Sequence, residues 1–216
     1  DLDGYAGIGV WRAAFKPLVD RIADTDIRLQ WFCCDRSTGV TDASGKRVTL
    51  IRDTKYPVSV EYQTVKFIGT GRDNIKAGVF SGWELGDYIY LRSEEAYMIK
   101  MEALAHKGSA DAITELNSFM KTRQPDYNYT FTNKADLIEE IIYQKRVEFW
   151  GEGLEYIDNR RLNIPVDRTD ETWGAENNNH FSAGKFRYNQ EERPFLYQLP
   201  LSEIENNSQL SPTDQN

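Results

Sequence analysis

The chain is poor in the residues that most often build metal centres, disulfide frameworks and nucleophilic active sites. It has two cysteines and two histidines among 216 residues. Cys33 and Cys34 are adjacent, and neighbouring side chains of a strand point to opposite faces, so we expect buried thiols rather than a mutual disulfide. His106 and His180 belong to no zinc-binding motif such as H-E-x-x-H. We therefore expect neither a metal centre nor another cofactor.

Long apolar runs and an excess of positive charge are missing too. No apolar stretch approaches the ~20 residues that a membrane-spanning helix needs, and the mean hydropathy is -0.62. The formal net charge of -8 disfavours nucleic acid as a partner, because phosphate recognition depends on lysine and arginine. The sequence contains no P-loop and no G-x-S-x-G motif, and its N-terminal glycines do not form the dinucleotide-binding fingerprint.

Helical periodicity is what the chain does have, between residues 91 and 166. Apolar residues recur at spacings of three and four on both sides of Gly108, which predicts a helical hairpin. Gly108 is expected to end the first helix and Ser109 to cap the second. The predicted apolar face of the first helix consists of Ala96, Tyr97, Met101, Leu104 and Ala105.

Two further helices are predicted downstream of this hairpin. The first carries the apolar residues of Leu137–Trp150 and is opened by Thr132 or Asn133. Two glycines then break the pattern, and a short helix is predicted over Leu154–Leu162, before Pro165.

The remaining segments are less regular. Residues 1–90 predict a short helix and three short strands, at Lys16–Ala23, Leu29–Cys34, Val48–Arg52 and Tyr62–Ile68. Residues 167–192 are polar and show little periodicity, which predicts a long loop.

Three blocks of sequence, together with a shorter element that precedes the helices, point to one family. They are Asp26, Arg28 and Trp31; then Leu91-Arg92, Glu95, Tyr97 and Glu102-Ala103; then Lys145-Arg146, Glu148-Phe149, Glu152-Gly153, Asp158 and Arg160-Arg161; and finally Leu199-Pro200 and Glu203-Ile204. In their order and spacing these blocks resemble the SusD/RagB family of outer-membrane nutrient-binding lipoproteins.

This resemblance implies a mainly α-helical fold, a right-handed scaffold of TPR-like helical hairpins with loop-rich segments and a few short strands. It implies one domain with three parts. Residues 1–90 would form a loop-rich ligand face, residues 91–166 the helical hairpins, and residues 167–216 a long loop and closing segment. Family members are longer at the N-terminus, where they carry a secretion signal, a lipidated cysteine and the first helical repeats. We therefore expect a fragment or a processed chain.

The function that the resemblance implies is binding. Such a protein captures oligosaccharides at the outer membrane, on the cell surface, and passes them to a SusC-like TonB-dependent transporter. Membrane association would come only from the missing N-terminal lipid anchor. No catalytic residues are expected, and the charged group Arg146, Glu148, Glu152, Asp158 and Arg160 is interpreted as structural.

Aromatic residues are the candidates for ligand contact. They make up 12% of the chain, and their flat faces suit the apolar C–H faces of sugar rings. Tyr5, Trp11, Tyr62 and Trp83 lie in polar or glycine-rich sequence and are the predicted ligand-binding residues, although ordinary packing is the alternative for each.

Two other functions remain open from sequence. A helical-repeat module could bind a protein partner without any small ligand. A glycoside hydrolase needs only two carboxylates, but the adjacent pairs Glu94-Glu95 and Glu139-Glu140 lie on predicted helices, where their side chains diverge.

Overall fold

The computed structural model describes residues 13–33, 62–64, 66, 90–192 and 198–214. The chain forms two compact units, residues 1–148 and residues 149–216. Helices predominate in the described residues and the strands are short, which confirms the predicted mainly helical fold. None of the helices in these ranges is both long and apolar enough to cross a membrane.

The first unit opens with short elements that pack beside its longer helices. They are helix α1 (Lys16–Asp20), a 3-10 helix (Ile27–Trp31), strand β1 (Phe32–Cys33) and strand β2 (Gln63–Thr64). The two strands pair antiparallel, with Phe32 opposite Thr64.

The predicted strand Leu29–Cys34 is therefore mostly wrong, since strand geometry begins only at Phe32. The cause is local: the Asp26 carboxylate accepts the backbone N–H of Arg28 at 2.9 Å and so caps a helical turn. The predicted strand Val48–Arg52 lies outside the described residues.

Three longer helices form the centre of the first unit. They are α2 (Ser93–His106), α3 (Asp111–Lys121) and α4 (Lys134–Glu148). Gly108 adopts a φ of 71° between α2 and α3, in the left-handed region that glycine tolerates best, so it ends the helix as predicted. Of the two predicted caps of α4, Asn133 is the one that accepts the backbone N–H three residues on, at 3.0 Å.

Helix α2 packs against both α3 and α4. The buried apolar side chains of the three helices include Met98, Met101, Ala105, Ala112, Leu116, Met120, Leu137, Ile141 and Val147. The predicted face of α2 is partly wrong, because Tyr97 is 52% exposed whereas Met98 is buried. The helix is turned so that the buried carboxylate of Glu102 meets Lys145 of α4 at 3.3 Å. Apolar periodicity alone does not reveal that pairing.

Helix α4 is enclosed along most of its length. Nine of its residues are buried, and four of these are polar or charged: Glu140, Gln144, Lys145 and Glu148. Residues four apart lie on the same face of a helix, so Glu140, Gln144 and Glu148 form one polar stripe.

The second unit contains short helices around a two-stranded sheet. Its elements are α5 (Leu154–Arg161), β3 (Val166–Asp167), α6 (Asp170–Trp173), a 3-10 helix (Ser182–Gly184), β4 (Arg187–Tyr188), α7 (Leu201–Asn206) and a 3-10 helix (Pro212–Asp214). Strands β3 and β4 pair antiparallel, with Val166 opposite Tyr188.

The segment 167–192 is therefore more ordered than the predicted long loop. The Asp167 carboxylate accepts the hydroxyls of Thr169 and Thr172, each at 2.7 Å, and the Asp167 carbonyl accepts Trp173 Nε1 at 2.9 Å. Local side-chain hydrogen bonds, and not a buried apolar face, order this segment. The sequence prediction depended on apolar periodicity and therefore missed it.

Leu116 provides a test of the helical core, because its side chain on α3 is fully buried. We expect Leu116→Ala to lower the free energy of unfolding by about 2–5 kcal/mol, through lost burial and the cavity left behind. Ile99→Ala is the matched control, since Ile99 on α2 is 54% exposed and its truncation should cost far less. Urea denaturation measures both, and equal losses in the two variants would contradict this description of the core.

Candidate functional site

The first unit contains a buried arginine with an unusually complete set of partners. Arg28 is 1% exposed. The Asp26 carboxylate accepts Arg28 Nε at 3.1 Å and Nη2 at 2.7 Å, in addition to the backbone N–H. This forked pairing satisfies one side of the guanidinium within two residues of chain.

The other side of Arg28 faces the end of α4. Arg28 Nη1 lies 3.4 Å from a carboxylate oxygen of Glu148, which is also buried. Arg92, just before α2, donates to Glu148 at 3.0 Å, and Arg123, just after α3, donates at 3.1 Å. We call Asp26, Arg28, Arg92, Arg123 and Glu148 the Arg28 ion network.

The charges in this network hold one another in the ionised state. Burial by itself raises the pKa of Glu148, but the hydrogen bond from Arg123 and the charges of Arg28 and Arg123 outweigh it and lower the pKa to about 2. Burial likewise opposes the charged form of Arg28, yet Asp26 and Glu148 raise its pKa above the ordinary value. Glu148 is therefore a carboxylate at neutral pH.

The polar stripe of α4 extends the network toward the surface. Arg28 Nη2 donates to Gln144 Oε1 at 2.5 Å, and Gln144 Nε2 donates to Glu140 Oε1 at 2.6 Å. The same Glu140 oxygen accepts the Tyr127 hydroxyl at 2.8 Å, while Arg21 Nη2 donates to Oε2 at 2.5 Å. Glu140 thus accepts three donors, although it is almost fully buried.

A surface cleft of about 320 Å³ opens above this end of the stripe. We call it the tyrosine cleft, because Tyr127, Tyr129 and Tyr143 all line it, together with Arg21 and Gln144. The rings of Tyr127 and Tyr129 lie 19° from parallel, with centroids 6.5 Å apart. The Arg21 guanidinium lies 3.9 Å from the centre of the Tyr143 ring.

The tyrosines of the cleft are neutral at physiological pH. Burial raises the pKa of Tyr127, and the neighbouring Glu140 carboxylate raises it further. Burial also raises the pKa of Tyr143, outweighing the opposite effect of Arg28 and Arg21. The cleft therefore presents phenol rings, amides and carboxylates, which are groups that bind hydroxylated ligands by stacking and hydrogen bonding.

The predicted ligand-binding residues fall largely elsewhere. Tyr5, Trp11 and Trp83 lie outside the described residues. Tyr62 is 8% exposed, and its hydroxyl donates to Asp20 Oδ1 at 2.9 Å. It does not line the tyrosine cleft. A ligand-binding role for these four aromatics stays a prediction.

Sequence reasoning missed the residues of the cleft. One signal was available: the four-residue spacing of Glu140, Gln144 and Glu148 places three polar side chains on one face of the predicted helix. Tyr127 and Tyr129, two positions apart in the connection between α3 and α4, gave no comparable signal. Their role depends on contact with α4, which the sequence does not specify.

The charged group predicted to be structural has structural contacts in both units. Glu148 belongs to the Arg28 ion network of the first unit. In the second unit, Arg160 donates to the Gln190 carbonyl, and Arg161 pairs with Asp158 at 2.7 Å. Across the described ranges, no cluster of histidine, cysteine and carboxylate side chains is suited to hold a metal ion.

The pKa of Glu148 makes the stability of the first unit dependent on pH. A carboxyl whose pKa falls from 4.5 to about 2 on folding stabilises the fold above pH 4.5 and loses that contribution as the pH falls toward 2. The full contribution is about 3 kcal/mol. We expect Glu148→Gln to lower the free energy of unfolding by at least about 3 kcal/mol at pH 7.

Denaturant titrations at pH 7 and pH 3 test this expectation. The difference in unfolding free energy between Glu148→Gln and the unsubstituted protein should narrow by about 2 kcal/mol at pH 3, because the carboxyl is then almost fully protonated in the unfolded chain but still mostly ionised in the folded one. Glu139→Gln, an exposed position on the same helix, should show little difference at either pH. If the difference in unfolding free energy between Glu148→Gln and the unsubstituted protein is the same at both pH values, the role given to Glu148 is wrong.

Comparisons with known proteins place this chain in a family. The sequence profile of the SusD family matches residues 22–216. A SusD-like carbohydrate binding protein from Bacteroides vulgatus ATCC 8482 has a similar fold, with a TM-score of 0.56 and 22% sequence identity over 89% of this chain. The chain spans 40% of the length of that protein. No curated protein matches the chain significantly. On the extent of the profile match, the chain belongs to the SusD family.

Proposed function

We propose that this chain is part of a cell-surface protein that binds oligosaccharides as nutrients. The observation that carries the proposal is membership of the SusD family over residues 22–216. The similar structure from Bacteroides vulgatus is described as a carbohydrate binding protein, which supports glycan as the ligand. The aromatic and amide groups of the tyrosine cleft provide suitable chemistry within the described residues.

The proposal extends to delivery of the bound glycan. By family resemblance, the protein is anchored to the outer membrane by an N-terminal lipid and passes its ligand to a SusC-like TonB-dependent transporter. Such a role favours reversible binding, because a ligand that is held too tightly is not released to the transporter. We therefore expect dissociation constants in the micromolar to millimolar range, which correspond to binding free energies of about -8 to -4 kcal/mol.

Binding rather than hydrolysis is also favoured by the state of the buried carboxylates. A glycoside hydrolase needs one carboxyl group that is protonated near neutral pH and can act as a general acid. Glu148 has the opposite property, since its pKa is held at about 2 by the surrounding arginines. Glu140 is occupied by Tyr127, Gln144 and Arg21. Both groups are structural in this arrangement.

The first test is glycan binding by the full-length protein. A glycan array identifies ligands, and isothermal titration then measures affinity for the best one. If the aromatics predicted from sequence form the ligand face, Trp11→Ala and Trp83→Ala should each weaken binding about tenfold through the loss of a stacking surface. Trp173→Ala removes a tryptophan from α6 of the second unit and serves as the control.

Three results distinguish the possibilities. Absence of binding to every glycan on the array would count against the proposed function. Unchanged affinity in Trp11→Ala and Trp83→Ala would keep the function but move the ligand site away from these residues. Release of reducing ends from a bound oligosaccharide would show hydrolysis instead of capture.

A further inference from the structure

We propose that the tyrosine cleft is a subsite for an uncharged sugar residue, and that it discriminates against uronates and other anionic glycans. The inference rests on the proposed function, since it assumes that the protein binds glycans. It goes further by assigning a place on the first unit and a ligand class that the family relationship does not give.

The size and lining of the cleft suit part of an oligosaccharide. Its volume of about 320 Å³ is at the lower end of the range typical of small-ligand sites, roughly 300–1,000 Å³. A cleft of this size holds about one or two sugar residues, while the rest of the oligosaccharide stays in solvent. Tyr129 is more exposed than Tyr127 and Tyr143, so its ring is the accessible stacking surface.

The tyrosine rings are fixed before any ligand arrives. The Tyr127 hydroxyl donates to Glu140 at 2.8 Å, the Tyr129 hydroxyl to the Asp136 carbonyl at 3.1 Å, and the Tyr143 hydroxyl to the Leu18 carbonyl at 3.4 Å. Each ring is therefore held at its polar end, and the Tyr129 ring is the one that offers accessible surface, because Tyr127 is buried and Arg21 covers Tyr143. A preorganised surface lowers the entropy cost of binding a flexible sugar chain.

Polar groups on the rim can bind sugar hydroxyls. Asp126 and Asn128 are exposed and Gln124 is partly exposed, and all three line the cleft. The hydrogen bond from Thr25 lowers the pKa of Asp126, so this side chain is an ionised acceptor at neutral pH. Carboxylate and amide groups accept hydroxyl donors well, and Asn128 also supplies a donor.

The charges of the cleft disfavour an anionic ligand. Its acidic lining residues are Asp26, Asp126 and Glu140, and its basic lining residue is Arg21. Arg21 is already paired with Glu140 at 2.5 Å and lies on the Tyr143 ring, while Arg28 below is enclosed by its own partners. A uronate in the cleft would meet the charge of Asp126, and the one positive lining charge, Arg21, is already partly neutralised by Glu140.

Two carboxylates outside the lining add to the negative charge, whereas the positive charge of Arg28 is enclosed by its own partners. Asp136 and Glu139 lie on the first turns of α4, and both act on the Tyr129 hydroxyl together with Glu140. An uncharged sugar avoids this repulsion and can still donate a hydroxyl to the exposed Asp126 carboxylate. The charge pattern therefore favours neutral glycans among those that the stacking surface could accept.

The test uses the full-length protein and a defined set of probes. Titration calorimetry compares three neutral hexasaccharides, from starch, cellulose and β-mannan, with hexamers of galacturonate and of alginate. We expect the tightest binding from a neutral probe. Tyr129→Ala should weaken that binding about tenfold, whereas Tyr129→Phe, which keeps the ring, should retain most of it. Tyr90→Ala, at a 92% exposed position outside the cleft, is the matched control.

A charge reversal tests the ligand class without disturbing the core. Asp126 is exposed, so Asp126→Lys should fold normally, which circular dichroism and the melting temperature can verify. We expect it to strengthen binding of the galacturonate hexamer several-fold at low salt, and this gain should disappear at high salt. This gain in affinity is expected only if the galacturonate hexamer binds in the tyrosine cleft.

The outcomes separate this inference from the proposed function. If a probe binds but neither Tyr129→Ala nor Asp126→Lys alters its affinity, glycan binding stands and the cleft is not the subsite. If the unsubstituted protein prefers a uronate hexamer, the assigned ligand class is wrong. If none of the probes and no glycan on an array binds, both the inference and the proposed function fail.

Discussion

The buried guanidinium of Arg28 is the interaction on which the rest of the first unit depends. A charge removed from water is very costly unless every donor finds a partner, and losing one partner typically costs several kcal/mol. Asp26 occupies one side of Arg28, while Glu148 and Gln144 of α4 occupy the other. Because Glu148 and Gln144 lie about 120 residues from Arg28, these pairs exist only when the early 3-10 turn is packed against the end of α4.

Glu148 extends this constraint to the other two helices. Its carboxylate accepts Arg92, at the start of α2, and Arg123, at the end of α3, in addition to Arg28. Apolar contacts set how closely the helices pack, but they tolerate small rotations and shifts of one helix along another. A carboxylate shared by three arginines tolerates much less, because each guanidinium needs a defined direction of approach. The network therefore specifies helix register more than it adds net stability.

Sequence reasoning succeeded at helix ends, where backbone preferences and caps act, and failed where the pairing of polar side chains decides the structure. The break at Gly108 and the cap at Asn133 follow from backbone preferences and side chains within a few residues. The orientation of α2 was misjudged because Glu102 pairs with Lys145, on another helix. The 3-10 turn before Phe32 was misread as strand, since its cause is the double role of Asp26 as a cap and as the partner of Arg28. The tyrosine cleft was not predicted because Tyr127 and Arg21 are positioned by their contacts with Glu140 of α4.

Arg21 and Arg28 belong to one chain of polar contacts that connects the buried core with the proposed subsite. They are seven residues apart, and both connect to the polar stripe of α4, one through Glu140 and the other through Gln144 and Glu148. Arg28 is enclosed, so its ion pairs fix the position of the stripe. Arg21 is 47% exposed on its side chain, where solvent weakens an ion pair and the net stabilisation is small. The pair with Glu140 matters more for position, since it holds the guanidinium against Tyr143 and neutralises the floor of the cleft. The charge pattern of the proposed subsite therefore depends on the buried network beneath it.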